Sequence, residues 1–241
     1  MHATEIQLLI VNAPVLLTMN SATQKIKTAS TLRRVLLICG ILASLIYVAT
    51  DILAGKLWEG YSFTSQAISE LSAIGAPTRP LVVTLGIIYD LLLIGFGLCV
   101  WVIAAGKRRA LRLIGGLLVG IGAIGFVWTQ FPMHLRGAEM TFTDTMHWTI
   151  AGVVVLLILL MIALGVIAYR KWFRLYSIGT LVTLLVVGMW SIFVGGAQIA
   201  AQQSTPFFGV MERITVYGYL AWVAVLAIVL LRVKRGPGSH L

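Results

Sequence analysis

The sequence predicts an all-α fold, a polytopic membrane bundle of six transmembrane helices with a short amphipathic helix in the first outer loop. Three observations predict it. Of the 241 residues, 59% are hydrophobic and only 11% charged, the composition of a chain whose main solvent is lipid. The apolar residues gather in six runs of about 20, the length a helix needs to cross a bilayer. The basic residues collect in short clusters beside alternate gaps between those runs, as topology requires. Because lipid offers a backbone no hydrogen bonds, each run is expected to be a helix.

The spans read as 35–55, 81–105, 112–131, 147–169, 175–198 and 213–232. Lys25, Lys27, Arg33 and Arg34 precede the first; Lys107, Arg108, Arg109 and Arg112 separate the second from the third. Arg170, Lys171 and Arg174 follow the fourth; Arg232, Lys234 and Arg235 follow the sixth. Fourteen of the 18 basic residues therefore share one side, and Lys56, Arg79, Arg136 and Arg213 are left for the other. The positive-inside rule then places both termini in the cytoplasm, the natural setting being the plasma membrane. The net charge of +10 is accounted for by this pattern, and no nucleic-acid partner is expected. Cys39 and Cys99 lie within apolar runs, where a thiol behaves as a small hydrophobe. The chain divides into an N-terminal cytoplasmic or interfacial segment (1–33), the six-helix domain (34–233) and a cytoplasmic tail (234–241).

The three outer loops are longer and more polar than the inner ones, so chemistry is expected on that face. In the first, Ser62, Ser65, Ser69 and Ser72 recur at spacings of three, four and three, one stripe of a helix. Two readings are open: a hydroxyl-lined pocket wall with Ser65, Ser69 and Glu70 in contact with a ligand, or small residues for close helix packing. Asp90 falls about nine residues into the second span, and an acid there needs a partner or a ligand. Asp51 sits near the outer end of the first span. Glu212 and Arg213 open the sixth span after Gln198, Gln202 and Gln203, and Arg213 with Arg136 offers an anionic head group two guanidinium groups. In the third span, Gly116 and Gly120 point to close packing.

Phe131-Pro-Met-His134 ends the third span and Asp144-Thr-Met-His147 begins the fourth. Asp144, His147 and His134 form a candidate set for a divalent metal, the one cofactor these residues admit. A structural reading competes: Asp144 caps the fourth helix and His147 joins the interfacial aromatic belt. A Gly-rich phosphate loop after a strand, CxxC and HExxH are all missing from the sequence.

An acid closing the first span, Tyr61-Ser-x-x-Ser-Gln-x-Ile-Ser-Glu-Leu71, Phe-Pro-Met-His134 with the later Asp-x-x-His147, and Glu212-Arg-Ile together resemble a prokaryotic family of six-helix membrane proteins, domain-of-unknown-function family 998. The resemblance covers about residues 33–233. It implies fold and membrane placement but no activity. Family members often carry Phe-Pro-x-Asp where this chain has Phe-Pro-Met-His134. A more distant similarity is to seven-helix hydrolases that hold zinc through a serine, an aspartate and histidines, but the late paired histidines are missing here.

The preferred functional reading is an outward-facing polar pocket formed by Asp51, the Ser65–Ser72 segment, Asp90, His147 and the Glu212–Arg213 pair. It would bind or transport a lipid-like or other amphipathic small molecule. The alternatives are a membrane-embedded metal-dependent hydrolase or transferase, and an assembly or stability factor for another membrane protein. Membrane lipids, a small amphipathic ligand and a second copy of the chain in a homo-oligomer are the expected partners.

Overall fold

The computed structural model describes residues 2–106, 109–169, 171–195, 198 and 204–232, and for residues 2–23 and 25–27 the backbone alone. The tail 234–241, Gln202, Gln203 and five of the topology-setting cations (Lys107, Arg108, Arg170, Lys234, Arg235) lie outside the described residues. Six long helices follow one another: α1 (His2–Leu57), α2 (Arg79–Ile103), α3 (Arg109–Trp128), α4 (Phe142–Ala168), α5 (Trp172–Trp190, extended by a π turn over Ser191–Gly195) and α6 (Phe208–Arg232). Each contains a stretch long and apolar enough to cross a bilayer, that of α1 being Thr28–Leu57. The protein is a multi-pass membrane bundle, as its composition predicts.

The chain forms two compact units, Met1–Leu36 and Leu37–Leu241. The first is the N-terminal part of α1, where the Thr28 hydroxyl donates to the Gln24 carbonyl one turn back (2.9 Å). The second holds the bundle. Successive helices from α2 to α6 are neighbours, and the Leu37–Leu57 part of α1 closes the ring. It packs on α2 through Gly40, where an added Cβ would press on the Phe96 ring, and on α6 through Ser44, whose hydroxyl reaches the Leu220 carbonyl (2.9 Å). Large apolar side chains such as Leu156, Val186 and Ile167 are exposed on the outside, the arrangement expected when the outer solvent is hydrocarbon.

Glycine sets the closest helix pair. A Cβ at Gly97 of α2 would meet the Val119 nitrogen at 2.8 Å, and one at Gly122 of α3 would meet the Asp90 carbonyl at 2.9 Å. Dense packing of backbone on backbone supplies the attraction that lipid does not. The face used is Gly115–Gly122–Gly125. Of the pair expected from the sequence, Gly116 seats the Trp101 ring, and a Cβ added at Gly120 would meet nothing within 4 Å, because Gly120 lies off the face that Gly115, Gly122 and Gly125 share.

The long connections all lie at one end of the bundle. In the first, the serine segment is a turn through Ser62–Ser65 followed by a five-residue 3₁₀ helix, Ile68–Ser72, where an amphipathic helix with a continuous serine stripe was expected. Ser62 and Ser65 hydrogen-bond to each other (3.2 Å), while Ser72 turns back to the Ser69 carbonyl (3.0 Å). Tertiary contacts override the local periodicity. The segment is pinned by the Thr78 hydroxyl on the Leu71 carbonyl (2.8 Å), and by the Ile74 N–H on the Met133 carbonyl (2.8 Å) of the connection between α3 and α4. Gly75, at φ +89°, makes the tight exit that this pairing needs.

Candidate functional site

At the long-loop end, one buried ion pair joins α1 to α6. Arg213 forks onto Asp51, Nε to Oδ2 at 2.9 Å and Nη2 to Oδ1 at 2.8 Å. The Asp51 side chain is fully buried and that of Arg213 is 10% exposed. The remaining donors of Arg213 are also used. Nη1 reaches the carbonyls of Phe63 (2.8 Å), Gln66 (3.0 Å) and Gly209 (3.1 Å), and Nη2 reaches the Tyr61 hydroxyl (2.7 Å). Tyr217 gives Asp51 Oδ2 a short third hydrogen bond. Burial pushes the Tyr61 phenol well above its ordinary pKa, so it stays protonated and donates to the Ala67 carbonyl (2.7 Å). Buried charges are tolerated when they are paired and saturated in this way. The Arg213 guanidinium is thus occupied by the protein itself and presents nothing to an anionic head group.

A second clamp holds the same segment from above. Glu70, 2% exposed, accepts from Arg136 at 2.9 Å (Nε) and 2.7 Å (Nη2), from the Ala67 N–H at 2.8 Å, and from Gln66 Nε2 at 3.2 Å. Arg136 also donates to the Ser65 carbonyl (2.8 Å) and to the Thr205 hydroxyl, which in turn donates to Ser65 (3.0 Å). Glu212 Oε2 accepts the Ile68 N–H at 2.6 Å. Residues from the second and third long connections and from α6 therefore meet on a stretch of six residues, Ser65–Glu70. Arg136, like Arg213, is occupied internally.

Beneath this clamped segment lies a cavity of about 340 Å³, within the range of small-molecule sites. Its walls come from α1, α2, α3, α4 and α6 and from the 3₁₀ helix, and they are mainly aliphatic and aromatic. Of the residues expected to form a pocket, Asp51, Ser69, Asp90, His147 and Glu212 line it; Ser65, Glu70 and Arg213 do not. Those three are its scaffold. Asp90 is 5% exposed, and among the described residues no donor reaches its carboxylate. The carboxylate occupies the space a Cβ would take at Gly125 of α3. On α2 the cavity follows Arg79, Val83, Gly86 and Asp90, spacings of four, three and four that form one helix face. A Cβ added at Gly86 would meet nothing within 4 Å, so this glycine opens onto the cavity.

The candidate metal residues are engaged otherwise. Asp144 accepts from the His134 N–H (2.7 Å), His134 Nδ1 (2.8 Å), the Thr141 N–H (2.9 Å) and the Thr141 hydroxyl (2.7 Å). This is the helix-capping role, with the preceding loop tied in. His147 has Nδ1 3.0 Å from the Phe131 carbonyl and 2.9 Å from Trp128 Nε1, with Nε2 3.3 Å from the same indole nitrogen. The ring is thus engaged by the end of α3 and the residues that follow it. Among the described residues no group of three or more His, Cys, Asp or Glu side chains is placed to hold a metal ion.

The family model described as a protein of unknown function (DUF998) matches residues 41–229, the whole bundle apart from the start of α1 and the last turn of α6. The chain belongs to the DUF998 family. No curated protein and no solved structure matches it.

Several residues that shape the site in this DUF998 protein escaped the sequence reading. Tyr61 and Tyr217, which complete the Asp51–Arg213 pair, look like ordinary interfacial aromatics. Thr205 has no local signal at all. Arg79 appeared only in the charge count, yet it lines the cavity half-buried, and among the described residues its guanidinium has no hydrogen bond or ion pair. Gly86 and Gly125 are two glycines in spans that contain many, and only their neighbours in space distinguish them.

Proposed function

We propose that this DUF998 protein binds, and moves or presents, a lipid-like or other amphipathic small molecule in the cavity beneath the Ser65–Glu70 segment. Entry is from the long-loop end, which the distribution of Lys and Arg puts on the non-cytoplasmic side of the plasma membrane. The observation that carries this reading is Asp90. A carboxyl group buried in a membrane bundle without a partner is unfavourable on its own, and this one lines a cavity whose walls are mainly apolar. A ligand with a long apolar body and one polar end would satisfy both.

The test is extraction of purified protein with organic solvent, followed by mass spectrometry of what is released. Wild-type protein is expected to carry a defined amphipathic species. Gly86→Phe, which fills the cavity from a position where an added Cβ meets nothing within 4 Å, should lose it while eluting as the same folded species. Identical extracts from both proteins would sink the reading.

A further inference from the structure

This inference rests on the cavity-binding reading and narrows it to a class of ligand. Four ionisable carboxylate or guanidinium side chains face the cavity: Asp51, Arg79, Asp90 and Glu212. Asp51 is neutralised by Arg213. Glu212 has one carboxylate oxygen on the Ile68 N–H. Arg79 stands at the first position of α2, three turns from Asp90 and, at 1.5 Å per residue, roughly 16 Å away along the helix. Arg79 and Glu212 thus both stand at the long-loop end, where their charges oppose, and Asp90 lies inward of them. Among the described residues nothing donates to Asp90.

The walls around Asp90 are aromatic. The Tyr47 and Tyr89 rings meet edge to face with centroids 5.1 Å apart, and the Tyr89 and Tyr219 hydroxyls lie 3.3 Å apart. Tyr47, Tyr89, Tyr219 and Asp90 all line the cavity. Tyr rings and a carboxylate lining one cavity form a surface that attracts an ammonium group, the acid by charge and hydrogen bonding, the rings through their negative faces. A phosphate or carboxylate at the same place would be repelled by an ionised Asp90, and a purely apolar chain would leave its carboxyl unsatisfied.

We propose that the polar end of the ligand is a protonated amine, seated on Asp90 among Tyr47, Tyr89 and Tyr219. Its apolar body runs from there toward the long-loop end along Val83 and Gly86 of α2. Three probes of one shape test this: 4-phenylbutylamine, 4-phenylbutanol and 4-phenylbutyrate, titrated calorimetrically into the full chain in lipid nanodiscs. The amine is expected to bind at least tenfold more tightly than the alcohol or the carboxylate. Asp90→Asn should weaken the amine at least tenfold and leave the alcohol unchanged. An alcohol or carboxylate that binds as well as the amine, or an amine that does not bind to wild-type protein, overturns the proposal without any variant having to fold. Gly86→Phe separates the two levels. If it abolishes binding of every probe but no preference for the amine exists, only the amine assignment fails; if binding survives in it, the cavity reading fails as well.

Discussion

The Asp90 carboxylate lies against the backbone of Gly125, in the volume that any other side chain would fill. This relationship lets α2 place an acid at the α2–α3 seam without forcing the helices apart. Gly125→Ala is expected to push the carboxylate aside or spread the seam, at a cost of about 1–3 kcal/mol, typical of overpacking. Gly120→Ala makes the control, since a Cβ there meets nothing within 4 Å. Thermal unfolding in detergent should separate the two variants by several degrees, and equal midpoints would contradict the packing described.

Asp51 and Arg213 are buried together, so removing one charge leaves the other stranded. Asp51→Asn is expected to destabilise the fold by roughly 3–5 kcal/mol, a fall in the unfolding midpoint on the order of 10 °C. Arg213→Lys should be nearly as harmful. A lysine has no planar fork to span both carboxylate oxygens and cannot also reach Phe63, Gln66, Gly209 and Tyr61. Replacing both residues with apolar side chains, Asp51→Leu with Arg213→Met, should recover part of the loss. A double variant no more stable than Asp51→Asn would show that the arginine's backbone contacts, rather than the ion pair, hold the loop.

The bundle was legible because lipid imposes one rule on every span: about 20 apolar residues in a helix. The site was legible only in part. Asp90 and Asp51 stand out against apolar neighbours, and both line the cavity. The serine stripe misled, since its period of three and four describes an isolated α-helix, whereas Arg136, Thr205 and Arg213 pull carbonyls of that segment outward into turns. Which acid is paired was not legible. Asp51 and Asp90 look alike in sequence, and the partner that distinguishes them, Arg213, lies 162 residues from Asp51. Arg136 and Arg213 look like anion receptors until their carboxylate partners are seen.

The distribution of Lys and Arg predicts which end of the bundle faces the cytoplasm. Ala138 and Ala105 are both exposed, at opposite ends. Cysteines placed at these positions, in a background where Cys39 and Cys99 are replaced by alanine, should react differently with a membrane-impermeant maleimide in whole cells. Ala138→Cys should be labelled directly and Ala105→Cys only after permeabilisation. The reverse pattern would invert the topology and turn the cavity mouth to the cytoplasm.

Glu70 and Arg136 control how firmly the cavity is roofed. Arg136 is 33% exposed, so its pairing is partly screened by water, and its loss should loosen the loop without unfolding the bundle. Arg136→Ala takes one partner from each of Glu70, the Ser65 carbonyl and Thr205, while the Asp51–Arg213 pair still fixes the far end of the segment. The expected result is faster cleavage within residues 61–72 by a protease of broad specificity, with an unfolding midpoint within a few degrees of wild type. Glu70→Gln should act in the same direction but less strongly, because a glutamine oxygen still accepts from Arg136. If the roof gates the cavity, both variants will also speed association and dissociation of any ligand that enters there. Unchanged exchange rates beside faster cleavage would mean that the ligand enters between helices, from the lipid, and that the clamp serves only stability.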